Sequence, residues 1–144
     1  MGMIDISKKE VTHREAIVEA RVFLKAKLID LIKKGKIPKG NVLEAAKLAG
    51  TIAAKKTSEL IPLCHPIPIE YVHIDFQLGR NQIKLTTIVR GNAKTGVEME
   101  AFVAISTACL TIYDMCKGLD RDIVISQIKL MRKTGGKSGA YARK

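Results

Sequence analysis

The sequence predicts an α+β domain in which an antiparallel sheet carries helices packed on one face. Three observations support this prediction. Apolar residues occur at every second position near residues 20, 75 and 125, which is typical of half-buried strands. Between these stretches the apolar residues change to the three- and four-residue steps of helices. Glycine and proline separate the stretches, so the order of the elements follows directly from the sequence.

The first strand and the first two helices lie before residue 59. Apolar residues alternate with mostly charged ones over residues 16–22, which predicts a strand with one buried face. Residues 25–34 follow helical spacing, and Gly35 supplies the stop. Asn41, followed by Glu44 three residues later, has the pattern of a capping box. This predicts that an alanine-rich helix begins there and ends at about residue 58.

The remaining elements follow a proline-rich connector. Residues 60–68, LIPLCHPIP, contain three prolines and are predicted to be rigid and non-helical. Residues 69–78 and 82–89 alternate and are joined by a Gly-Arg-Asn turn, which predicts a hairpin. Apolar residues on more than one face predict that residues 94–118 form a central helix packed nearly all round. Residues 123–130 are predicted to form the last strand.

The predicted order of elements is β-α-α-β-β-α-β. This is the ferredoxin-like split βαβ pattern with an extra helix in the first crossover. There is no internal repeat and no linker long enough to divide the chain. We therefore expect residues 1–144 to form one domain, with flexible ends at about residues 1–8 and 134–144.

Composition excludes several classes of protein. A hydrophobic content of 47% excludes a disordered chain, and an aromatic content of only 4% leaves the core to aliphatic residues. No apolar run approaches the length needed to cross a bilayer, and the first residues lack the hydrophobic middle of a signal peptide. A cytoplasmic location is therefore expected, with no membrane partner.

The formal net charge of +11 indicates an anionic partner, either a nucleic acid or a phosphorylated small molecule. A basic ferredoxin-like nucleic-acid-binding module is the alternative function to an enzyme. An RNA-recognition sheet carries aromatic residues on its open face, and the predicted strands 82–89 and 123–130 contain none. A structural oligomer without activity is a second rival. It leaves the carboxylates Glu98, Glu100 and Asp114 in their apolar helix without explanation.

The three cysteines, Cys64, Cys109 and Cys116, are an odd number without a C-x-x-C motif. They indicate free thiols and neither a disulfide framework nor a zinc site. His65 directly follows Cys64 in the proline-rich connector. Since imidazole titrates near neutral pH, His65 is interpreted as an acid–base or substrate-contacting group, with a structural loop histidine as the alternative.

Two further motifs allow a structural and a functional interpretation. Asp114 and Lys117 lie three residues apart and are therefore adjacent on one helix face, either as a solvated ion pair or as a catalytic pair. The stretch GGKSG at residues 135–139 could bring backbone amides and Lys137 close to phosphate, or could be a flexible tail. It is not a Walker A loop, because Met131 stands where that motif needs glycine.

Four motifs in this order resemble one known family: LIPLCHP at 60–66, KTGVEMEA at 94–101, LTIYDMCK at 110–117 and GGKSG at 135–139. The resemblance is to the MoaC family, the cyclic pyranopterin monophosphate synthases of molybdenum cofactor biosynthesis, and it extends from about residue 5 to 139. It implies a ferredoxin-like subunit and a hexamer built as a trimer of dimers. It also implies conversion of 3′,8-cyclo-7,8-dihydro-GTP into cyclic pyranopterin monophosphate with loss of pyrophosphate.

The resemblance places a catalytic aspartate on Asp114 and essential lysines on Lys117 and Lys39, and so favours the catalytic interpretation of the helix pair. The substrate contacts that it implies are Leu63, Cys64, His65, Met99 and Glu100, with Glu98, Arg14 and Lys137 as further members of the pocket.

These residue types suit the implied reaction. A triphosphate needs cations, which arginine and lysine supply, and Asp114 could orient Lys117 as a general acid or base. No redox cofactor is expected, because the rearrangement is hydrolytic and eliminative. A divalent ion could accompany the triphosphate, although no protein cage for it is visible in the sequence.

The positions of the motifs also predict that the site is shared between subunits. Glu100 and Asp114 are 14 positions apart in the predicted helix. At about 1.5 Å per residue this is roughly 21 Å, too far for one small substrate to contact both within one chain. A two-fold pairing of subunits would bring one end of this helix near the other end of its neighbour.

Overall fold

The computed structural model describes residues 1–144 and contains five strands and four helices. In chain order the elements are β1 (Thr12–Phe23), α1 (Ala26–Lys33), α2 (Val42–Lys55), α3 (Thr57–Leu60), β2 (Ile69–Leu78), β3 (Gln82–Ala93), α4 (Glu98–Cys116), β4 (Val124–Thr134) and β5 (Tyr141–Ala142).

The strands form one antiparallel sheet in the order β2-β3-β1-β4-β5. β1 and β2, which are joined by helices, are separated in the sheet by β3. β3 and β4, which are joined by α4, are separated by β1. Each βαβ unit is thus split by a strand of the other, which confirms the predicted ferredoxin-like α+β fold. The additional strand β5 extends the sheet beyond β4.

The helices cover one face of the sheet. Alternate residues of β1 from Arg14 to Val22 are buried, and those between them are only half-buried. α4 packs across β1, β3 and β4, while α2 packs against α4 and β2. The resulting core is one cluster of 25 buried residues, mostly Ile, Leu, Val and Ala. The opposite face of the sheet carries ion pairs such as Glu15–Arg90 and Glu19–Lys84.

Helix α4 is less completely covered than its sequence predicts. Eight of its residues, including Ala104 and Ile105, are buried, but Leu110 is 60% exposed and Met99 is 37% exposed. The prediction of a helix packed nearly all round is therefore wrong within a single chain. Apolar side chains occupy more of the helix surface than α2 and the sheet bury.

Long-range pairing explains why several elements differ in length from prediction. β3 runs to Ala93, four residues further than predicted, because it pairs with β1 as far as Thr12. β4 runs to Thr134 because it also pairs with β1. Gln127, with φ of 55°, lies where the β1–β4 register shifts, which is typical of a bulge.

The beginning of α2 agrees with the predicted cap, and its end does not. The Asn41 side chain accepts a hydrogen bond from the backbone N–H of Glu44 at 3.1 Å. The helix ends at Lys55 and the short α3 follows, where the Thr57 hydroxyl donates to the carbonyl of Ala54 at 2.8 Å. This side-chain bond competes with the regular helix ladder.

The two ends of the chain make specific contacts. Tyr141 and Ala142 pair with Lys133 and Arg132 of β4. The first residues lie beside the connector between α3 and β2, where the Ile4 carbonyl contacts the His65 ring. The predicted flexibility of both ends stays a prediction.

By length and apolar composition alone, α4 could cross a membrane, since it has 19 residues and a mean hydropathy of 1.3. This differs from the sequence-based expectation that no apolar run reaches that length. Half of the apolar window is buried inside the domain. Packing against the sheet and α2 therefore accounts for much of its apolar character.

Close packing of α2 on α4 yields the first testable prediction. A Cβ added at Gly50 would lie 2.8 Å from the Ala104 carbonyl oxygen and would collide with the Ile74 side chain. We expect Gly50→Ala to lower the free energy of unfolding by about 1–2 kcal/mol, because overpacking outweighs the gain in helix propensity. Chemical denaturation measures this change. Gly118→Ala, where a Cβ meets nothing within 4 Å, is the control; equal stability of both variants would contradict the prediction.

Candidate active site

Three polar side chains meet at the carboxyl end of α4. The Lys39 Nζ lies 2.9 Å from Asp114 Oδ2, and the Lys117 Nζ lies 3.0 Å from Asp114 Oδ1. Lys39 also donates to the Asp114 backbone carbonyl at 3.1 Å. Helix spacing positions Lys117, whereas Lys39 comes from the loop between α1 and α2, followed by Gly40 at a φ of 112°. The structure thus brings the three predicted catalytic residues together.

The electrostatics of this lysine–aspartate cluster (Lys39, Asp114 and Lys117) favour an anionic ligand. Hydrogen bonds from Lys39 and then Lys117 lower the pKa of Asp114, so its carboxylate is charged at neutral pH. Two ammonium groups on one carboxylate leave one positive charge uncompensated. All three side chains are about half exposed, so water or a ligand can reach them. The carboxylate holds both lysines at positions from which they could contact phosphate oxygens.

A cavity of about 460 Å³ lies near the amino end of α4. Five of the predicted substrate contacts line it, namely Leu63, Cys64, His65, Glu98 and Met99. The prolines of the connector between α3 and β2 restrict the backbone around His65. The opposite wall consists of residues from the first segment of the chain, Gly2, Ile4, Ile6 and Lys9.

Glu100 lies behind this cavity and is only 2% exposed. The Cys64 thiol donates to its Oε1 at 3.9 Å, and its Oε2 is buried without a hydrogen-bond partner. Burial, together with the nearby charge of Glu98, raises the pKa of Glu100 from 4.5 to about 7. A carboxyl group with this pKa can both donate and accept a proton at neutral pH.

Glu98 connects this cavity with a second one of about 390 Å³, and it forms an ion pair with Lys133 at 3.3 Å. Ser138 and Gly139 of the glycine-rich tail line the second cavity. Sequence reasoning missed Lys133, because the predicted last strand ended at residue 130. Only the register of the β1–β4 pairing, in which Lys133 lies opposite Ala16, could have indicated its position.

Arg14 and Lys137 occupy different surroundings. Arg14 is 6% exposed, donates to the Ala93 carbonyl at 3.3 Å and packs against Gly135 and Gly136. A side chain at Gly136 would collide with the Arg14 guanidinium, so the absence of side chains at these two glycines leaves space for the arginine. Lys137 is exposed and forms no ion pair. Substrate contact by either residue stays a prediction.

The predicted site residues therefore form two groups at opposite ends of α4. The helix is continuous from Glu98 to Cys116, so Glu100 and Asp114 are roughly 21 Å apart along its axis. No three His, Cys, Asp or Glu side chains come close enough together to hold a metal ion.

Comparison with known proteins gives the family. The sequence model of a protein family described as "MoaC family" matches residues 3–136, which include both groups of site residues. The chain belongs to the MoaC family. Lys137 lies just beyond the matched residues, whereas Lys133 and the two glycines that contact Arg14 lie within them.

Several curated relatives of this MoaC chain share one name. Proteins called "Cyclic pyranopterin monophosphate synthase" from Thermoanaerobacter sp. (strain X514) and Heliobacterium modesticaldum are each 48% identical over 143 residues, covering 98% of this chain and 90% of the relative. The protein of that name from Aquifex aeolicus (strain VF5) is also 48% identical over 143 residues. That match covers 99% of this chain but 56% of the Aquifex protein, so the chain spans about half of that relative's length.

The buried Glu100 yields a prediction on the pH dependence of stability. Its folded-state pKa of about 7 lies above the ordinary 4.5, so the native state keeps a proton that the unfolded chain loses between these values. The parent's stability should therefore fall as pH rises through this window. Glu100→Gln, which stays neutral, should gain up to about 3 kcal/mol relative to the parent between pH 5 and pH 8. Denaturant unfolding at both pH values measures the difference.

The exposed Glu59→Gln variant controls for the substitution itself. A constant difference in stability between Glu100→Gln and the parent across this range would show that the carboxyl group of Glu100 does not retain its proton on folding.

Proposed function

We propose that this MoaC family chain acts as a cyclic pyranopterin monophosphate synthase. It would convert 3′,8-cyclo-7,8-dihydro-GTP to cyclic pyranopterin monophosphate with release of pyrophosphate, as a cytoplasmic lyase of molybdenum cofactor biosynthesis. The observation that carries the proposal is the meeting of Lys39, Asp114 and Lys117, since Lys39 and Asp114 are 75 positions apart in the chain. A GTP-derived triphosphate is the proposed small-molecule partner, with no nucleic acid, membrane or cofactor involved.

The lysine–aspartate cluster suits the phosphate part of this reaction. To form a cyclic monophosphate from a triphosphate, an oxygen must attack the α-phosphorus and the bond to the β-phosphate must break. Negative charge then builds up on the departing pyrophosphate. Lys39 and Lys117, both held by Asp114, are positioned to stabilise this charge. Either ammonium could also transfer a proton.

The cavity at the other end of α4 suits the ring part of the reaction. Opening a purine ring and rebuilding it as a pterin requires protons to be moved to and from nitrogen and carbon atoms. Glu100, which lies behind the cavity and has a pKa near 7, is a proton donor and acceptor for such steps, and His65 lines the cavity itself. Leu63 and Met99 supply apolar surface for a planar ring.

Uncovered apolar surface on α4 supports a site shared between two copies of this chain. The incompletely buried side of α4 carries the apolar residues Met99, Val103 and Leu110, which are spaced by four and seven residues. The same side of the helix carries Asp114 and Lys117 closer to its carboxyl end. Pairing this side with its two-fold copy in antiparallel orientation would place the lysine–aspartate cluster of one chain near Glu100 of the other. A homodimer, and a hexamer built from three such dimers, is therefore part of the proposal.

Helix α2 carries further exposed apolar residues. Leu48 and Ile52, one helical turn apart, are 62% and 47% exposed, and α2 packs directly against α4. Exposed apolar patches of this kind are typical of interfaces between subunits. On the open face of the sheet, in contrast, Arg90 is paired with Glu15 and Lys84 with Glu19, which disfavours that face as a surface for RNA.

The proposed catalysis predicts unequal effects of two neighbouring lysines. Lys39→Ala should reduce turnover of the cyclised GTP intermediate by about a hundredfold or more, and Lys117→Ala should do the same, because each removes a cation from the reacting phosphates. Lys36→Ala is the matched control, since Lys36 is exposed in the same loop and forms no ion pair. Pyrophosphate and the cyclic phosphate product are measured together. Similar activity of the folded Lys39→Ala and Lys36→Ala proteins would remove Lys39 from the mechanism.

The shared site predicts complementation between inactive variants. Glu100→Ala and Asp114→Ala, mixed under conditions that exchange subunits, should regain activity because some mixed interfaces combine an intact Glu100 with an intact Asp114. Mass spectrometry with isotope-labelled subunits verifies the exchange, and each variant mixed with itself is the control. Exchange without recovery of activity would show that the two ends of α4 do not share one site.

A further inference from the structure

Residues 2–9, here called the N-terminal arm, form one wall of the 460 Å³ cavity. The Ile4 carbonyl oxygen lies 2.8 Å from Nε2 of His65. Lys94, which precedes α4, donates to the Ser7 carbonyl at 3.1 Å. Within the arm, the Asp5 carboxylate accepts a hydrogen bond from the backbone N–H of Ser7 at 2.9 Å. These contacts join the arm to both segments that carry the predicted substrate contacts.

Hydrophobic burial does not explain the position of the arm. The side chain of Ile4 is 77% exposed, and of residues 2–9 only Ile6 is partly buried. The specific contacts of the arm are instead backbone carbonyls bonded to His65 and Lys94. An arm held in this way contributes little to the core and acts mainly on the cavity that it lines.

The contact between Ile4 and His65 has a chemical consequence. A backbone carbonyl can only accept a hydrogen bond, so Nε2 of His65 must carry a proton to bond it. In the neutral ring the other nitrogen, Nδ1, is then the acceptor, and it forms no hydrogen bond in the structure. The bond to Ile4 thus selects one tautomer and limits rotation of the ring.

We propose that the N-terminal arm is a positioning element of the active site. The Ile4 carbonyl holds the His65 ring with its Nε2 proton directed at the arm, which leaves Nδ1 to accept a hydrogen bond or a proton from the substrate. The prolines of the connector restrain the backbone of His65, and the arm restrains its ring. The catalytic meaning of this arrangement rests on the proposed function, but the arrangement itself can be tested without substrate.

Imidazole ¹⁵N NMR measures the tautomer directly. Deletion of residues 2–7 joins Met1 to Lys8 and removes the Ile4 carbonyl, whereas deletion of Gly2 alone keeps it and is the matched control. Spectra are recorded at about pH 9, well above the ordinary histidine pKa of about 6.5. The signals of His65 are assigned among the three histidines by their loss in His65→Gln.

In the intact chain we expect the widely separated signals of a ring protonated only at Nε2. After deletion of residues 2–7 the two signals should move toward each other, because the released ring exchanges between tautomers, and deletion of Gly2 should leave them unchanged. Unchanged His65 signals in the longer deletion, or equal changes in both deletions, would overturn the proposal. If the longer deletion does not fold, Asp5→Ala, which loses the bond to Ser7, should produce the same change in smaller measure.

Activity provides a second readout that a merely structural role would not reproduce. Deletion of residues 2–7 should lower kcat at least about tenfold in the parent and should have no further effect in His65→Gln, because the arm acts through this ring. Equal losses in both backgrounds would contradict the proposal. If the intact chain does not convert the cyclised GTP intermediate, the proposed function fails, and the NMR comparison still decides whether the arm positions His65.

Discussion

The length of α4 and its burial in the core set the distance between the two groups of candidate site residues. Its central residues Ala104, Ile105 and Ala108 are completely buried against the sheet and α2, so the helix can neither bend nor slide without disrupting the core. Glu100 and Asp114 are consequently held roughly 21 Å apart. Side-chain motion of a few ångströms cannot close that distance, so one small substrate would need a second chain to contact both ends.

The two ends of α4 give the same functional group opposite properties. Asp114 lies in water between two lysines, which lower its pKa and keep it charged. Glu100 lies behind a cavity with one oxygen unpaired, and burial raises its pKa to about 7. One carboxyl group therefore holds two cations, and the other has a pKa at which it could exchange protons near neutral pH. Separation of such roles by environment is how two carboxyl groups serve one reaction at one pH.

Short sequence patterns predicted the contacts between residues that are close in the chain. They did not predict the contacts between residues that are far apart in the chain. The cap at Asn41 and the pairing of Asp114 with Lys117 follow from spacing of three residues, and both are present. The approach of Lys39 to Asp114 has no local signal and was expected only from the family resemblance. The Lys133–Glu98 pair and the contact of Ile4 with His65 were missed, because strand register and chain-end placement arise from tertiary packing.

The exposure of the lysine–aspartate cluster connects its chemistry to the uncovered face of α4. In one chain the three side chains are about half exposed, where water screens charge and weakens the stabilisation of a departing anion. Met99 and Leu110 lie on the same side of the helix and also remain in contact with water. A second copy covering this side would bury the apolar residues and exclude water from the cluster at once. Association and catalysis would then have one physical cause, because the surface that would stabilise such a dimer would also lower the dielectric constant around the lysine–aspartate cluster.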